Sequence, residues 1–282
     1  MADKKRAFVT GWPVDHSRSP LIHSYWLNKH GIDGEYIKRP CKEEELPVFF
    51  ANIDQEGFVG GNVTVPNKEA AFAQLSHPQE AARVLGAANT VWLKDGKLMG
   101  TNTDGYGFLA NLDDQLTGWD SPENRAKGAL VLGAGGASRA IIYSLQERGF
   151  EKMLIANRTL EKAETLVKLF GAPCEAIELT KAKPGNIDPG IIVNTTSIGM
   201  NDGKSPLDLT GFASSTIVHD IVYTPLITPL LAQAKSLGMP TVDGLGMLLH
   251  QAVPGFEKWF GVRPEVDDDL RNILLEDLGE AK

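Results

Sequence analysis

The chain of 282 residues has only two cysteines, Cys41 and Cys174, far apart and without metal-ligand spacing. That excludes a thiolate metal site. Its histidines, His16, His23, His30, His77, His219 and His250, form no spaced cluster either, so no metal site is expected. No apolar run approaches the roughly 20 residues of a membrane-spanning helix. The basic start "MADKKR" is followed by no apolar signal-peptide core. There are no repeats, no low-complexity segments and no long blocks of one charge. The formal net charge of −8 argues against a nucleic-acid or anionic-membrane surface. A reducing, cytoplasmic setting and small-molecule partners are the expectation, with no nucleic acid and no membrane.

What is present is apolar material, 42% of the residues, enough for sizeable cores and two domains. Short apolar runs alternate with amphipathic segments, the pattern of an α/β architecture. Strands are expected at "AFVTG", "GEYIKR" and "GNVTV", and helices at "SPLIHSYWLNKHG", "KEEELPVFFANI" and "NKEAAFAQL". In the last of these Pro66 suits the first helical position. "NTVWLKDGKLMGTN" reads as a hairpin turning at Asp95-Gly96. After the polar, breaker-rich "DSPENRAKG" the texture changes. "ALVL", "KMLIAN", "GIIVN" and "STIVHD" are near-continuous apolar strands, separated by helical segments such as "LITPLLAQAKSLG". They fit a doubly wound parallel sheet covered on both faces. "GLGMLLHQAVPGFEKWFG" reads as one apolar helix with Gly and Pro inside it.

"GAGGAS" lies between a strand and a helix, where a dinucleotide fingerprint belongs. Gly133 permits the tight turn, Gly135 lets the backbone approach a pyrophosphate, and the helix N-terminus favours that anion. The third fingerprint position holds Ser138 rather than Gly or Ala. A tight turn that binds nothing is the plain alternative. The next strand ends in "NRT", where NAD-selective proteins place an acidic residue for the ribose. Arg158 and Lys162 could flank a 2′-phosphate instead, and Thr159 could cap the helix and donate a hydrogen bond. NADP is therefore favoured over NAD.

In the first half, "SRSP" sets Ser17 and Ser19 two apart before a helix. Ser19 is either an N-cap or, with Ser17, a pair of hydroxyls for an anion. Asn89 enters a hairpin strand, where turn chemistry alone could explain it. Asp104 precedes a helical run and suits an N-cap. Lys68 has no such local reason. It falls in a first helical turn, where the macrodipole disfavours a cation, just past a strand that aims Asn62 and Thr64 to one face.

Taken together, "SRSP", "NVTVPNKE", "GAANT", "NTDG", "GAGGAS", "NRT" and "DGLGMLLHQA" resemble the shikimate dehydrogenase family, in order and over essentially the whole chain. The resemblance implies NADPH-dependent reduction of 3-dehydroshikimate to shikimate in aromatic amino-acid biosynthesis. It also implies a substrate-binding and catalytic α/β domain over residues 1–104 and a Rossmann NADP domain over 105–243. Residues 244–282 would be helices returning to the first domain. Ser17 and Ser19 would hold the substrate carboxylate, with Tyr223 nearby. Thr64, Asn89 and Gln251 would hold ring hydroxyls, and Lys68 and Asp104 would form the catalytic pair.

For the cofactor, the resemblance implies that Gly133, Ala134, Gly135, Gly136 and Ala137 cradle the pyrophosphate. Asn157, Arg158, Thr159 and Lys162 would hold the adenosine phosphate, and Glu80, Ile221 and Gly244 would approach the cofactor. Asn67 stands where an aromatic residue often precedes the lysine. Lys162 stands where arginine is common, giving a point charge rather than a fork. His16, beside the serines, is a further candidate for touching substrate.

In this reading Lys68 supplies the proton that the new hydroxyl needs, and Asp104 orients it. Two alternatives remain: a quinate/shikimate dehydrogenase of dual substrate or cofactor specificity, and a catalytically silent NADP- or shikimate-binding regulator. A homodimer is left open.

Overall fold

The computed structural model describes residues 4–200 and 202–280. The chain divides into two compact units. One takes the chain up to Asp104 together with Leu249–Asp277; the other takes Gly105–Leu248 and Leu278–Glu280.

The first unit begins β1 (Lys5–Thr10), α1 (Ser19–Lys29), β2 (Gly34–Lys38), α2 (Leu46–Ala51) and β3 (Phe58–Val63). It continues with α3 (Lys68–Ala73), β4 (His77–Pro78), α4 (Glu80–Leu85), β5 (Thr90–Lys94) and β6 (Lys97–Thr101). The sheet order is β2-β1-β3-β5-β6-β4. β2, β1 and β3 run parallel, while β5 and β6 form the expected antiparallel hairpin. Asp95 and Gly96 both take positive φ (52° and 70°), as a two-residue hairpin turn of this kind requires.

The second unit carries α5 (Asp104–Gln115), α6 (Pro122–Lys127), β7 (Ala129–Leu132), α7 (Gly136–Glu147) and β8 (Met153–Asn157). There follow α8 (Leu160–Phe170), β9 (Cys174–Glu178), β10 (Ile191–Asn194), β11 (Ile217–Asp220), α9 (Pro229–Ser236), β12 (Thr241–Val242) and α10 (Leu245–His250). Its six strands are all parallel, in the order β12-β11-β10-β7-β8-β9. The chain thus winds outward in both directions from β7, the Rossmann arrangement expected from the apolar runs. Those runs divide with a period of two. Ala129, Val131, Met153, Ile155, Ile191 and Val193 enter one core, and Leu130, Leu132, Leu154, Ala156 and Ile192 the other.

α11 (Val253–Phe260) and α12 (Asp268–Leu278) complete the first unit. α11 packs on β1, β3 and β5, and the indole of Trp259 donates to the Val91 carbonyl at 2.9 Å. Gly60 makes this close approach available. It sits at φ 154°, and a Cβ there would lie 2.3 Å from that carbonyl and 2.5 Å from Trp259 Nε1.

Several local expectations are corrected. Pro66 does not open a helix: residues 65–67 form a turn and α3 starts at Lys68. "KEEELPVFFANI" divides into a 3-10 turn over Glu43–Glu45 and the short α2, which begins at Leu46 with Pro47 in its first turn. The long C-terminal helix is two, α10 and α11, with Pro254 in the first turn of the second. The breaker-rich "SPENRAK" forms α6, capped by the Ser121 hydroxyl on the Asn124 amide at 3.3 Å. β9 and β12 carry no strong apolar run and were not expected; β9 is the edge strand of its sheet.

Candidate active site

In the first unit the C-terminal ends of β1 and β3 and the hairpin bring polar residues together. Lys68, the first residue of α3, donates from Nζ to Asp104 Oδ2 at 2.6 Å, and both side chains are half-buried. Asn89 Nδ2 donates to the other carboxylate oxygen, Oδ1, at 2.8 Å. Asn89 Oδ1 in turn accepts from the Thr90 hydroxyl at 2.9 Å and the Thr103 amide at 2.8 Å. Asn89 therefore does more than turn a chain: it is buried, and its whole amide is committed. Asp104 is not a cap. The Asn102 side chain takes the Asp104 N–H at 3.0 Å, leaving the Asp104 carboxylate for Lys68 and Asn89.

Ser19 is likewise no side-chain cap. The Ser17 hydroxyl accepts from the Ser19 amide at 3.3 Å and donates to the Ser19 hydroxyl at 3.3 Å, so the two are held side by side. Thr64 follows β3, with its N–H on the Thr10 carbonyl at 2.8 Å. Gly11 lets Thr64 come close, since a Cβ there would stand 2.5 Å from Thr64 Cγ2. Gln251 is half-buried just after α10, and His16 is exposed beside the serines. Asn67, where the sequence departs from the family pattern, is fully buried and donates to the Cys41 carbonyl at 2.8 Å.

Sequence reasoning missed the residues behind this front. Tyr36 donates to Asn62 Oδ1 at 2.6 Å, and Asn62 Nδ2 reaches the Asn89 carbonyl at 3.1 Å and the Thr90 hydroxyl at 3.2 Å. Burial raises the Tyr36 phenol well above its ordinary pKa, while hydrogen bonding from Ser19 opposes the shift. His23 stacks on the Tyr36 ring at 4.0 Å, fully buried, and desolvation lowers its pKa from 6.5 to about 3. The only sequence signal for these residues was that Asn62 shares the strand register of Thr64.

In the second unit a cavity of about 380 Å³ opens at the C-terminal ends of β7, β8 and β10. It gathers Gly133, Ala134, Gly135, Asn157, Arg158, Thr159 and Lys162, all expected there, with Thr195–Ile198, which were not. The strand-end rule for ligands in open α/β sheets could have found this second group. Gly133 lies at φ 106°, and a Cβ would approach the Thr195 hydroxyl to 2.8 Å. At Gly135 and Gly136 a Cβ would meet nothing, so the backbone there faces open space.

Gly135 is the N-cap of α7 and supplies no side-chain cap, so the first-turn N–H groups are available to an anion; Ala137 lies in that turn. The Ser138 hydroxyl, at the departing third position, turns back onto the Gly135 carbonyl at 2.5 Å. Thr159 stands at the N-cap of α8 but its side chain caps nothing; Asn157 Nδ2 holds the Thr159 carbonyl at 2.8 Å instead. Two cations and a hydroxyl, with no carboxylate at the end of β8, fit the 2′-phosphate of NADP rather than the free hydroxyls of NAD.

The far wall is set by Asp220, which burial pushes up in pKa against three hydrogen bonds. Its Oδ1 accepts from Asn194 at 2.9 Å and the Val222 amide at 3.0 Å, and Oδ2 from Thr228 at 2.7 Å. Asn194 holds the Thr196 hydroxyl at 2.7 Å. Ile221 and Tyr223, both half-buried, follow in the same loop. Gly244 packs on that backbone, since a Cβ would come within 2.4 Å of the Ile221 carbonyl. Glu80 is exposed at the start of α4, in the first unit. Among the described residues no group of histidine, cysteine and carboxylates could hold a metal. No helix there is long and apolar enough to cross a membrane.

The chain is similar to known proteins over its whole length. Three family descriptions match: the shikimate dehydrogenase substrate binding domain over residues 9–91, shikimate / quinate 5-dehydrogenase over 120–198, and the shikimate 5′-dehydrogenase C-terminal domain over 244–271. A relative from Azorhizobium caulinodans, shikimate dehydrogenase (NADP(+)), is 51% identical and covers 97% of both chains. The shikimate 5-dehydrogenase of Thermus thermophilus, solved in complex with NADP(H) and shikimate, is 36% identical with a TM-score of 0.80. That match covers 93% of this chain and 95% of the other. The quinate dehydrogenase of Corynebacterium glutamicum, solved with NAD, is 27% identical with a TM-score of 0.83, covering 97% and 99%. With the motifs, the α/β and Rossmann folds and the full-length relatives in agreement, this chain belongs to the shikimate dehydrogenase family of NADP-dependent oxidoreductases.

Proposed function

We propose that this chain interconverts 3-dehydroshikimate and shikimate, working in the reductive direction with NADPH in chorismate and aromatic amino-acid biosynthesis. When bound, the cofactor supplies the hydride. The Ser17 and Ser19 hydroxyls hold the substrate carboxylate with Tyr223, while Thr64, Asn89 and Gln251 orient the ring hydroxyls. Lys68 delivers a proton from Nζ to the ketone oxygen as it becomes a hydroxyl, and Asp104 keeps the ammonium pointed there. In oxidation the same nitrogen takes the proton back. Gly133 to Ala137, Asn157 to Lys162, Glu80, Ile221 and Gly244 hold the cofactor. The setting is the cytoplasm.

The observation that carries this reading is the Lys68–Asp104 pair, 2.6 Å apart and backed by Asn89, in the unit that also holds the two serines. A silent binder gains nothing from a lysine kept against its helix dipole. The similarity to a quinate dehydrogenase gives the second reading, use of quinate or NAD. Initial rates at 340 nm, with shikimate or quinate crossed against NADP+ or NAD+, decide between them. Activity confined to shikimate with NADP+ is expected. Comparable rates with quinate or NAD+ would establish dual specificity, and no turnover in any pair despite ligand binding would leave a regulator.

A further inference from the structure

We propose that Tyr36 is a positioning residue for proton transfer: its hydroxyl sets the direction of a hydrogen-bond chain through Asn62, Thr90 and Asn89 that holds the Asp104 carboxylate against Lys68. The proposal rests on the acid–base reading of Lys68 and Asp104 given above.

A phenol has a single hydrogen, and that of Tyr36 goes to Asn62 Oδ1 at 2.6 Å. Burial keeps this phenol protonated. With its oxygen end taken, the Asn62 amide has only Nδ2 to offer forward, and it donates to the Thr90 hydroxyl at 3.2 Å and the Asn89 carbonyl at 3.1 Å. Thr90 has accepted and so donates onward, to Asn89 Oδ1 at 2.9 Å. Together with the Thr103 amide and hydroxyl, which donate to the same Asn89 oxygen at 2.8 and 3.1 Å, this turns the Asn89 amide with Nδ2 toward Asp104 Oδ1 at 2.8 Å and leaves Asp104 Oδ2 for Lys68 at 2.6 Å.

The links point the same way, and flipping either amide would oppose like groups: Asn62 Oδ1 against the Asn89 carbonyl, or the Asn89 NH2 against the Thr103 N–H. The chain is buried from Tyr36 to Asn89, so water is not there to repair a broken link. Its starting point is rigid as well, because the Tyr36 ring is stacked on His23 at 4.0 Å and lies 5.8 Å from the Trp259 ring.

The test is Tyr36→Phe, which keeps the stacked ring and removes the hydroxyl, assayed on the full chain as shikimate-dependent reduction of NADP+. Turnover per NADP+-binding site should fall about ten- to hundred-fold, the scale of a lost hydrogen bond to a charged network. KM for shikimate should move far less, and the solvent deuterium isotope effect on kcat should rise as proton transfer becomes the slow step. Thr90→Val cuts the chain at its middle and should show the same signature, while Thr90→Ser, which keeps the hydroxyl, restores the wild-type values. If Tyr36→Phe fails to fold, the Thr90 pair decides alone. A kcat within about two-fold of wild type in the variants lacking a hydroxyl overturns the proposal. So does a lower kcat with an unaltered isotope effect, which a purely structural role would give. An active wild type with unaffected variants fails the chain alone; a wild type inactive with shikimate fails the functional reading, and the chain with it.

Discussion

Lys68 is the residue on which local rules and chemistry disagree most. A cation opening α3 is opposed by the helix dipole, and the surrounding structure offsets this with the Asp104 carboxylate. Removing the amine should therefore abolish chemistry without touching the unit that binds the cofactor. Lys68→Ala is expected to lose about a thousand-fold in kcat, with NADP+ binding by fluorescence titration unchanged. Near-normal turnover would refute its role. Arg158 is the matching test on the cofactor side, where it and Lys162 line the cavity at the end of β8. Arg158→Ala should raise KM for NADP+ by about ten- to hundred-fold and leave any rate measured with NAD+ nearly unaffected. An equal effect on both cofactors would mean the arginine does not read the phosphate.

At the scale of elements, glycine placement and one indole govern close approach. Trp259 of α11 is buried against the first sheet and bonds the Val91 carbonyl across Gly60. Trp259→Phe should cost about 1 kcal/mol for the lost hydrogen bond, and Trp259→Ala about 3–5 kcal/mol for the cavity. Urea unfolding followed by circular dichroism measures both; equal losses would put the indole N–H ahead of packing. The strands of the second sheet were legible because their apolar runs are continuous. β12, two residues long, and the edge strand β9 were not, because neither has both faces buried. Helix starts were read less well. Proline marks a turn as readily as a first helical position, and Pro66 serves the turn.

At the scale of the whole molecule, each unit buries one neutral histidine. Desolvation lowers both His23 and His219 from 6.5 to about 3. A base whose pKa is lower when folded binds more protons when unfolded, so its contribution is fully present above pH 6.5. It is lost as the pH falls from there toward 3, by up to about 1.4 kcal/mol per unit for each histidine. The urea midpoint should therefore drop steeply between pH 6.5 and 4.5, and His219→Gln should flatten the fall. A midpoint indifferent to pH in that window would show that neither histidine stays neutral in the folded state.

The fold class, the glycine loop, the family and the front line of candidate residues were all legible along the chain. These are written in periodicity, in turn chemistry and in motifs whose spacing is local. Apart from Lys68, several of these residues also had a plausible local duty: Ser19 and Asp104 as caps, Asn89 as a turn former. Which duty each performs follows from the folded arrangement alone, because a side chain's role is set by its hydrogen-bond partner and the partners lie far along the chain. Asn89 meets Asp104 and Asn62, and Asn62 on β3 meets Tyr36 on β2 with β1 between them. No periodicity encodes those meetings; strand register and the direction of each donor do.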